Sequence, residues 1–386
     1  MRVALLTDGI WPYVLGGMQK HSYYLCKYLA QNGVEVDLFH FNQSSYDIYK
    51  LEFFTEEEKK FIRSTVLEFP KSPAFPGHYL YNSYRYSKLI FKTIQNDLSQ
   101  FDFIYSKGFS AWYLIEQKKK GKIKCPPIGV KFHGYEMFQT PPDFKTKLQH
   151  VFLLRRPVKF ISQNADVVFS YGGKITQLIE SIGVKKENIV ELPSGLEAAS
   201  VAERAGDSHV PLRFIFLGRY ERRKGIEELN KALGDLLGEK EGPAFEMHFV
   251  GPIPEDKKIR HPQVIYHGEI RDKDTLKQNI QNCDVLLCPS WSEGFPNVLL
   301  EAMGNGLSVL ATDVGAVSVL VNSSNGFLIK SSDSNTIKEG LRALLSLDKE
   351  KLLSRKMNAL QTISNAFVWE RLIPVLIRKL QSIASK

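Results

Sequence analysis

Residues 284–303 have the sequence DVLLCPSWSEGFPNVLLEAM. The apolar run Asp284–Cys288 is followed by a loop containing proline and glycine, and a second apolar stretch begins at Val298. This order predicts a buried β-strand, a loop, and an α-helix that begins near Asn297. A strand that leads directly into a helix is typical of parallel sheets covered by helices.

The same stretch carries two carboxylates. Glu293 lies in the predicted loop, and Glu301 lies about one turn into the predicted helix. Both can face one ligand across the helix start, where the amides of Gly294 and Phe295 suit a phosphate. Ionised carboxylates also accept strong hydrogen bonds from sugar hydroxyls. A glutamate pair can indicate a glycosidase, but two glutamates in one loop–helix unit beside amide donors favour a nucleotide diphosphate that carries a sugar.

Short apolar strands alternate with amphipathic helices along the chain. Strands are predicted at residues 2–6, 34–41, 65–69, 101–105, 127–132 and 166–170, and again at 212–217, 245–250, 264–267, 284–288 and 308–311. This alternation predicts an α/β fold with two Rossmann-like parallel-sheet domains. Ligands of open α/β sheets bind beyond the carboxyl ends of the strands, so we expect the two domains to face each other across a cleft that carries the chemistry.

The alternation pauses at residues 197–210, which are mostly small and polar and precede Pro211. A chain of 386 residues suits two domains. We therefore predict an N-terminal, acceptor-binding domain at 1–196, a linker at 197–210, and a C-terminal, nucleotide-sugar-binding domain at 211–365.

The loop after the predicted strand 212–217 is basic. Arg219 follows the strand, and Lys224 immediately precedes the next helix. A fork-shaped guanidinium and a compact ammonium around one loop suit the two phosphates of a diphosphate. Arg222 and Arg223, between them, are interpreted as ordinary surface residues.

Two features of the first half also lie at strand ends. Gly16 and Gly17 end the loop after the first strand, where they let the backbone approach a phosphate at a helix start, although a Gly-Gly pair is equally typical of a plain flexible turn. His133 directly follows the strand 127–132, so its imidazole or its backbone carbonyl could orient a hydroxyl group. The alternative is a histidine that only satisfies backbone groups at the strand end.

The net charge of +9 is concentrated in the first half of the chain. Residues 1–196 contain 26 basic and 18 acidic residues, against 25 and 24 in the remainder. This imbalance indicates either an anionic partner or a solvated basic face. The segment Lys145–Lys159 mixes basic and apolar residues and is a candidate for peripheral contact with an anionic membrane, although its apolar residues could equally form the buried face of an ordinary helix. Without nucleic-acid-binding motifs, we expect no nucleic-acid partner.

The sequence gives little indication of a metal site, a disulfide or a membrane-spanning segment. The four cysteines form no Cys-x-x-Cys pattern and are expected to be reduced core residues. Asp272 and Asp274 form the only Asp-x-Asp pattern, which is interpreted as a helix cap, so no metal and no other cofactor is expected. The first residues are predicted to form a strand and not a signal peptide, and no apolar run approaches the length of a membrane span, which together favour a cytoplasmic protein.

The sequence resembles the family 4 retaining glycosyltransferases of the GT-B fold over essentially its whole length. The most specific element is the pair of glutamates separated by seven residues with Gly-Phe-Pro between them. Supporting motifs are Gly16-Gly17, His133-Gly134, Pro193-Ser194-Gly195, Gly218-Arg219 with Lys224-Gly225, and Trp369-Glu370. One departure is Glu197, which stands where the family usually has aspartate.

The resemblance implies roles for individual residues. It implies that Glu293 binds the hydroxyls of the donor sugar, that Glu301 binds the ribose, and that Arg219 and Lys224 bind the diphosphate. It also places Gly16 and Gly17 near the phosphates, together with Gly294, Phe295 and Pro296, His133 by the transferred sugar, and Gly251 and Ile270 beside the base. The last helix, at about 366–386, would pack on the N-terminal domain.

The resemblance further implies a retaining transfer of sugar from a nucleotide-diphosphate donor, UDP favoured over GDP, to a glycan or lipid-linked hydroxyl acceptor. Bacterial polysaccharide, lipopolysaccharide or glycolipid synthesis is the expected setting, in the cytoplasm or peripherally on the inner face of the cell membrane. A nucleotide-sugar epimerase of the same fold and a non-catalytic sugar-binding protein are the alternatives.

Overall fold

A computed structural model describes residues 1–239 and 244–385. The chain divides into two compact units. Unit 1 comprises Met1–His133, Leu148–Pro193 and Trp369–Lys386, and unit 2 comprises Gly134–Lys147 and Ser194–Val368. Lys386, the last residue of the predicted final helix, lies outside the described residues.

Unit 1 is built on a parallel sheet of seven strands in the order β3-β2-β1-β4-β5-β6-β7. Its strands are β1 (Arg2–Leu6), β2 (Glu35–His40), β3 (Ile62–Val66), β4 (Phe103–Lys107), β5 (Ile128–Lys131), β6 (Val167–Ser170) and β7 (Ile189–Glu191). Its helical segments are α1 (Gly17–Gln31), α2 (Glu56–Lys59), α3 (His78–Ile94), α4 (Trp112–Lys119), α6 (Arg155–Asn164), α7 (Lys174–Ser181) and α14 (Trp369–Ala384). Apolar residues of β1 and β4 pack with α1 and α14 in one buried core.

Unit 2 is built on a parallel sheet of six strands in the order β10-β9-β8-β11-β12-β13. Its strands are β8 (Leu212–Leu217), β9 (Phe245–Val250), β10 (Val264–Gly268), β11 (Val285–Cys288), β12 (Ser308–Thr312) and β13 (Gly326–Ile329). Its helices are α8 (Ile226–Leu237), α9 (Lys273–Gln281), α10 (Asn297–Gly304), α11 (Val317–Leu320), α12 (Ser334–Leu345) and α13 (Lys349–Ala366). The helix α5 (Phe144–Gln149) begins in unit 2 and ends in unit 1. Buried residues of β8, β9 and β11 pack against α8 and α12.

The predicted α/β fold of two Rossmann-like parallel-sheet domains is confirmed. The prediction was wrong mainly at the edges of the sheets. β3 lies at Ile62–Val66 instead of 65–69, and the short strands β7 and β13 were not predicted. β3 and β7 are edge strands exposed along part of their length, so their sequences lack the continuous apolar run that identifies a central strand.

Residues 197–210, predicted as a linker, belong to unit 2. The amide of Ala202 donates to the carbonyl of Gly304 at 2.8 Å. The amide of His209 donates to the Asp284 carboxylate, which also makes a buried ion pair with Lys356 at 2.9 Å. This segment is therefore fixed by hydrogen bonds to unit 2.

Candidate active site

In unit 2, the loop after β8 meets the loop after β11. Gly225 has a left-handed φ of 68°, and a Cβ at this position would lie 1.8 Å from the carbonyl oxygen of Pro289. A side chain there would be excluded by both backbone conformation and space. The amide of Trp291 also donates to the carbonyl of Arg223 at 2.8 Å. These contacts hold Lys224 beside the Glu293 loop.

Glu293 is buried, with 5% of its surface exposed. Its Oε1 lies 2.6 Å from the Nζ of Lys224 and accepts a hydrogen bond from Ser290 Oγ at 2.8 Å. Its Oε2 lies 3.6 Å from a guanidinium nitrogen of Arg223. Burial alone would raise the pKa of Glu293, but Lys224, Arg223 and the hydrogen bonds outweigh it and lower the pKa below its ordinary value. Glu293 is therefore an ionised, buried carboxylate.

The backbone of Glu293 is held on two sides. The side-chain amide of Gln139 donates to the Glu293 carbonyl at 2.7 Å. On the other side is Gly315, with a left-handed φ of 56°, where a Cβ would lie 2.0 Å from the same carbonyl oxygen. The amide of Ala316 donates to Gly294 O at 2.9 Å. The loop is thus fixed independently of any ligand.

The helix predicted after this loop is α10, and Pro296 is its N-cap residue. Glu301 lies in its second turn and is half-buried. The Phe295 side chain is buried and lies 6.1 Å, centroid to centroid, from the ring of Phe367. The amides of Gly294 and Phe295 therefore precede a helix N-terminus, as predicted, whereas the Phe295 ring has a packing role.

The other predicted residues of unit 2 lie at the carboxyl ends of neighbouring strands. The Arg219 side chain is 74% exposed and pairs with Glu221 at 2.7 Å, so its contacts differ from those of Lys224. Gly251 follows β9, and a Cβ there would lie 2.0 Å from the Gly218 carbonyl. Ile270 follows β10 and is half-buried. β8, β9 and β10 are adjacent in the sheet, so these residues share one edge of it.

In unit 1, Gly16 is the N-cap of α1, and the helix begins at Gly17. Gly16 has a φ of 152°, which favours glycine, and the amide of Lys20 donates to its carbonyl at 2.9 Å. The structure therefore places the predicted Gly-Gly turn directly at the N-terminus of α1, a helix of fifteen residues.

His133 belongs to a buried polar network of unit 1. Its Nε2 lies 3.2 Å from the Nζ of Lys107, and its Nδ1 lies 2.8 Å from the Tyr171 hydroxyl. Lys107 Nζ also lies 2.8 Å from Nδ1 of His21. Both ring nitrogens of His133 thus have partners in the protein, which favours the backbone carbonyl over the imidazole as the group facing a ligand.

Burial, followed by the positive charges of Lys107 and Lys131, lowers the pKa of both His21 and His133 well below the ordinary value. Burial likewise lowers the pKa of each lysine. The two imidazoles are therefore neutral in the folded protein at physiological pH.

Two family models match the chain. That of Glycosyltransferase Family 4 matches residues 15–199, and that of glycosyl transferases group 1 matches residues 211–347. The chain belongs to the family 4 glycosyltransferases. It is therefore an enzyme of the glycosyltransferase class, and this membership favours the predicted glycosyltransferase over an epimerase or a non-catalytic sugar-binding protein.

Individual proteins resemble this glycosyltransferase along its full length or in part. An uncharacterized glycosyltransferase of Methanocaldococcus jannaschii is 25% identical over 378 residues, 96% of this chain and 95% of that one. A Bacillus subtilis glycosyltransferase named for teichuronic acid biosynthesis is 31% identical over 127 residues, 33% of this chain and 31% of that one. The structure of HepE from Anabaena in complex with UDP has a TM-score of 0.67 at 16% identity, covering 99% of this chain and 100% of that one. This likeness, with the two parallel sheets, confirms the GT-B fold.

Several site residues of this glycosyltransferase were missed or misjudged from the sequence. Arg223, interpreted as a surface residue, faces Glu293, and only its position next to Lys224 could have suggested this. Gln139 lies 154 positions from Glu293, and Lys107 lies 86 from His21, so no local pattern connects them. Glu136 is a further carboxylate of unit 2, and its pKa is raised by burial and also by the charge of Glu293.

Within residues 1–239 and 244–385, no group of three or more His, Cys, Asp or Glu side chains is arranged to hold a metal ion. Over the same residues, no helix has both the length and the apolar character needed to cross a bilayer.

The neutral imidazoles predict a specific pH dependence of stability. A histidine whose folded-state pKa is lowered takes up a proton on unfolding below about pH 6.5, so its contribution to the free energy of unfolding falls as the pH falls. Replacing His21 by Gln, which can still accept from Lys107, should reduce the slope of unfolding free energy against pH between about 5 and 6.5 by up to about 1.4 kcal/mol per pH unit. Urea unfolding across this range measures it, with His78→Gln, an exposed imidazole, as the control. Identical slopes for wild type and His21→Gln would contradict the prediction.

Proposed function

We propose that this glycosyltransferase moves a sugar from a nucleotide-diphosphate sugar, with UDP favoured over GDP, to a hydroxyl acceptor with retention of the anomeric configuration. The observation that carries the proposal is the buried contact of Lys224 with Glu293, 2.6 Å long, at the N-terminal end of α10. The arrangement puts a cation, a fixed carboxylate and helix-end amides beside one another, which suits a sugar diphosphate. The UDP bound to HepE supports the choice of nucleotide.

Glu293 has one oxygen suited to holding the donor sugar. Oε1 is occupied by Lys224 and Ser290, whereas Oε2 has Arg223 at 3.6 Å, beyond hydrogen-bond distance. An ionised Oε2 can accept a hydrogen bond from a sugar hydroxyl. We propose that Glu293 positions the sugar in this way and that Glu301, farther along α10, binds the ribose.

Lys224 has the main electrostatic role in the proposed mechanism. Its ammonium, with Arg219 and the amides of Gly294 and Phe295, would stabilise the charge that develops on the leaving diphosphate, which is usually a large catalytic contribution. The leaving phosphate itself would take the acceptor proton, and the acceptor hydroxyl would attack from the face that the diphosphate leaves. In this proposal the reaction needs no metal. The Gly16–Gly17 turn remains a proposed second phosphate contact, and His133 a proposed contact of the transferred sugar.

The donor can be identified by thermal unfolding of the full chain with UDP, GDP and ADP and with their sugar conjugates. A ligand at 100 times its Kd adds about 2.7 kcal/mol to the free energy of unfolding. We expect UDP and at least one UDP-sugar to raise the unfolding temperature more than the GDP and ADP counterparts. If none of the nucleotides raises it, the proposed donor class is wrong.

Replacing Lys224 by Ala should lower turnover by about 10²–10³, by analogy with the loss of one transition-state donor. Lys231→Ala, which changes an exposed lysine of α8, is the matched control and should retain wild-type turnover. Rates of transfer from the identified donor provide the measurement. Near-normal turnover of Lys224→Ala would remove Lys224 from the mechanism.

We also propose a lipid-linked or glycan acceptor in envelope polysaccharide synthesis, on the cytoplasmic side of the membrane. The name of the Bacillus subtilis relative supports the pathway class. Within the segment Lys145–Lys159, Leu148 and Phe152 of unit 1 are 41% and 72% exposed. Arg156 and Lys159 are exposed in the same segment. Exposed apolar side chains with neighbouring cations are suited to an anionic bilayer surface.

Liposome flotation tests the membrane contact. The protein should float with vesicles containing phosphatidylglycerol at low salt and less at 0.5 M salt, where surface charges are screened. Replacing Leu148 and Phe152 together by serine should weaken flotation, whereas Tyr49→Ser, at a position 79% exposed elsewhere in unit 1, should not. No flotation of the wild-type protein at low salt would end the membrane proposal.

A further inference from the structure

Several buried side-chain atoms of unit 1 lack hydrogen-bond partners among the described residues, and two of them are carboxylate or amide oxygens. They are Oδ1 of Asp8, which follows β1, and Oδ1 of Asn82, in α3. Asn82 is only 6% exposed. Burying an unpaired acceptor costs about 1–3 kcal/mol, so each such atom calls for an explanation.

The two oxygens belong to the same region of unit 1. Tyr79, Asn82 and Tyr86 lie along one face of α3, at spacings of three and four residues. The Tyr86 hydroxyl donates to the carbonyl of Thr7, the residue before Asp8, at 3.1 Å. Burial and then the negative charge of Asp8 raise the pKa of both tyrosines, that of Tyr79 to about 12. Tyr86 thus lies beside the end of β1, and Asn82 lies between Tyr79 and Tyr86 along α3.

A third unpaired atom lies close by in the sheet. Ser106 Oγ in β4 is buried without a partner among residues 1–239 and 244–385. Ser106 is aligned with Leu6, two residues before Asp8, in the pairing of β1 with β4. The carboxyl ends of these two strands therefore bring together several polar atoms that fold stability alone does not require.

Aromatic rings border this group of atoms. Tyr79 is 48% exposed, and its ring meets that of Phe109 edge to face at 6.1 Å. Asp8 as a residue is also partly exposed, so this edge of the sheet borders solvent. A partly open aromatic wall beside a few fixed polar groups is typical of small-molecule sites.

The chemistry of the unpaired atoms restricts the ligand. Burial raises the pKa of Asp8 to about 6, opposed by backbone hydrogen bonding, Lys107 and Gln19, so the carboxylate is mostly ionised at pH 7.5. A carboxylate oxygen and an amide oxygen only accept hydrogen bonds. A ligand that satisfies both must donate two hydrogen bonds, and a ligand anion at this point would be repelled by Asp8.

We propose that Asp8 and Asn82 form the subsite for a neutral sugar unit of the acceptor, two of whose hydroxyls donate to their Oδ1 atoms while the ring packs on Tyr79. This proposal rests on the proposed transferase function and specifies the acceptor class. The unpaired oxygens are then acceptors that the folded protein keeps, at a cost in stability, for binding.

Saturation-transfer NMR on the full-length protein with UDP tests the subsite. The probes are the methyl glycosides of glucose, galactose and mannose. Methyl glucuronide, which carries a carboxylate where the glucoside has a hydroxymethyl group, is the anionic control. We expect saturation transfer to at least one neutral glycoside, and binding of the glucuronide about tenfold or more weaker than that of the glucoside. No transfer to any neutral glycoside, or equal or tighter binding of the glucuronide, would overturn the proposal.

Variants assign the signal to Asp8 and Asn82. Asp8→Ala and Asn82→Ala should each weaken glycoside binding by about 10- to 100-fold, since each removes a hydrogen bond to a ligand. Asp97→Asn and Asn96→Ala change exposed residues that follow the end of α3, and these control variants should bind as the wild type does. Asn82→Ala should also unfold at the wild-type temperature or higher, because it removes an unpaired buried group. Unchanged binding, or loss of binding together with a lower unfolding temperature, overturns the proposal.

The UDP-induced shift in unfolding temperature, measured on the same samples, distinguishes failure of the acceptor subsite from failure of the proposed transferase function. If UDP stabilises the wild type and Asp8→Ala equally while no glycoside binds, the acceptor subsite fails and the donor site stands. If UDP does not stabilise the wild type, the proposed function fails first.

Discussion

The buried ion pair of Lys224 with Glu293 is the interaction on which the candidate site of unit 2 depends. Removing both charges from water costs several kcal/mol for each, and the cost is offset only when geometry and further hydrogen bonds are good. Here the contact is 2.6 Å, and Ser290 and Arg223 add to it. The pair can form because Gly225 lets the loop after β8 approach Pro289. Glu293 is consequently ionised and fixed before any ligand arrives, which is the condition for electrostatic preorganisation.

Unit 1 handles buried charge in the opposite way. Lys107 and Lys131 are fully buried, and both lie at the carboxyl ends of strands. Burial lowers the pKa of both lysines, and the partners of Lys107 are the rings of His21 and His133. The result is a network biased toward neutral groups, with Asp8 as the carboxylate that acts on Lys107. Neutral imidazoles suit the binding of hydroxyl groups, whereas the charged groups of unit 2 suit a diphosphate.

The part of the site that could be predicted lies in continuous stretches of sequence. Glu293, Gly294, Phe295 and Glu301 follow one strand, so a strand–loop–helix prediction was enough to place them at a helix start. Lys224, predicted to bind a diphosphate, lies beside Glu293 because it also follows a strand of the same sheet. Arg219 follows that strand too, yet its side chain pairs with Glu221, because strand order fixes where a backbone lies and not where an exposed side chain points.

The sequence by itself determined the two parallel sheets, since buried central strands need apolar runs and their helices need apolar faces. It also determined which loops lie at the carboxyl ends of those strands. Only the tertiary structure decided which groups meet across long separations. Gln139 supports Glu293 from 154 residues away, and Lys107 joins two histidines. The Oδ1 atoms of Asp8 and Asn82 are both buried with no partner in the part of the chain that the structure describes. The physical reason is that side-chain hydrogen bonds depend on distances of tenths of an ångström between chain segments, which local propensity and periodicity do not encode.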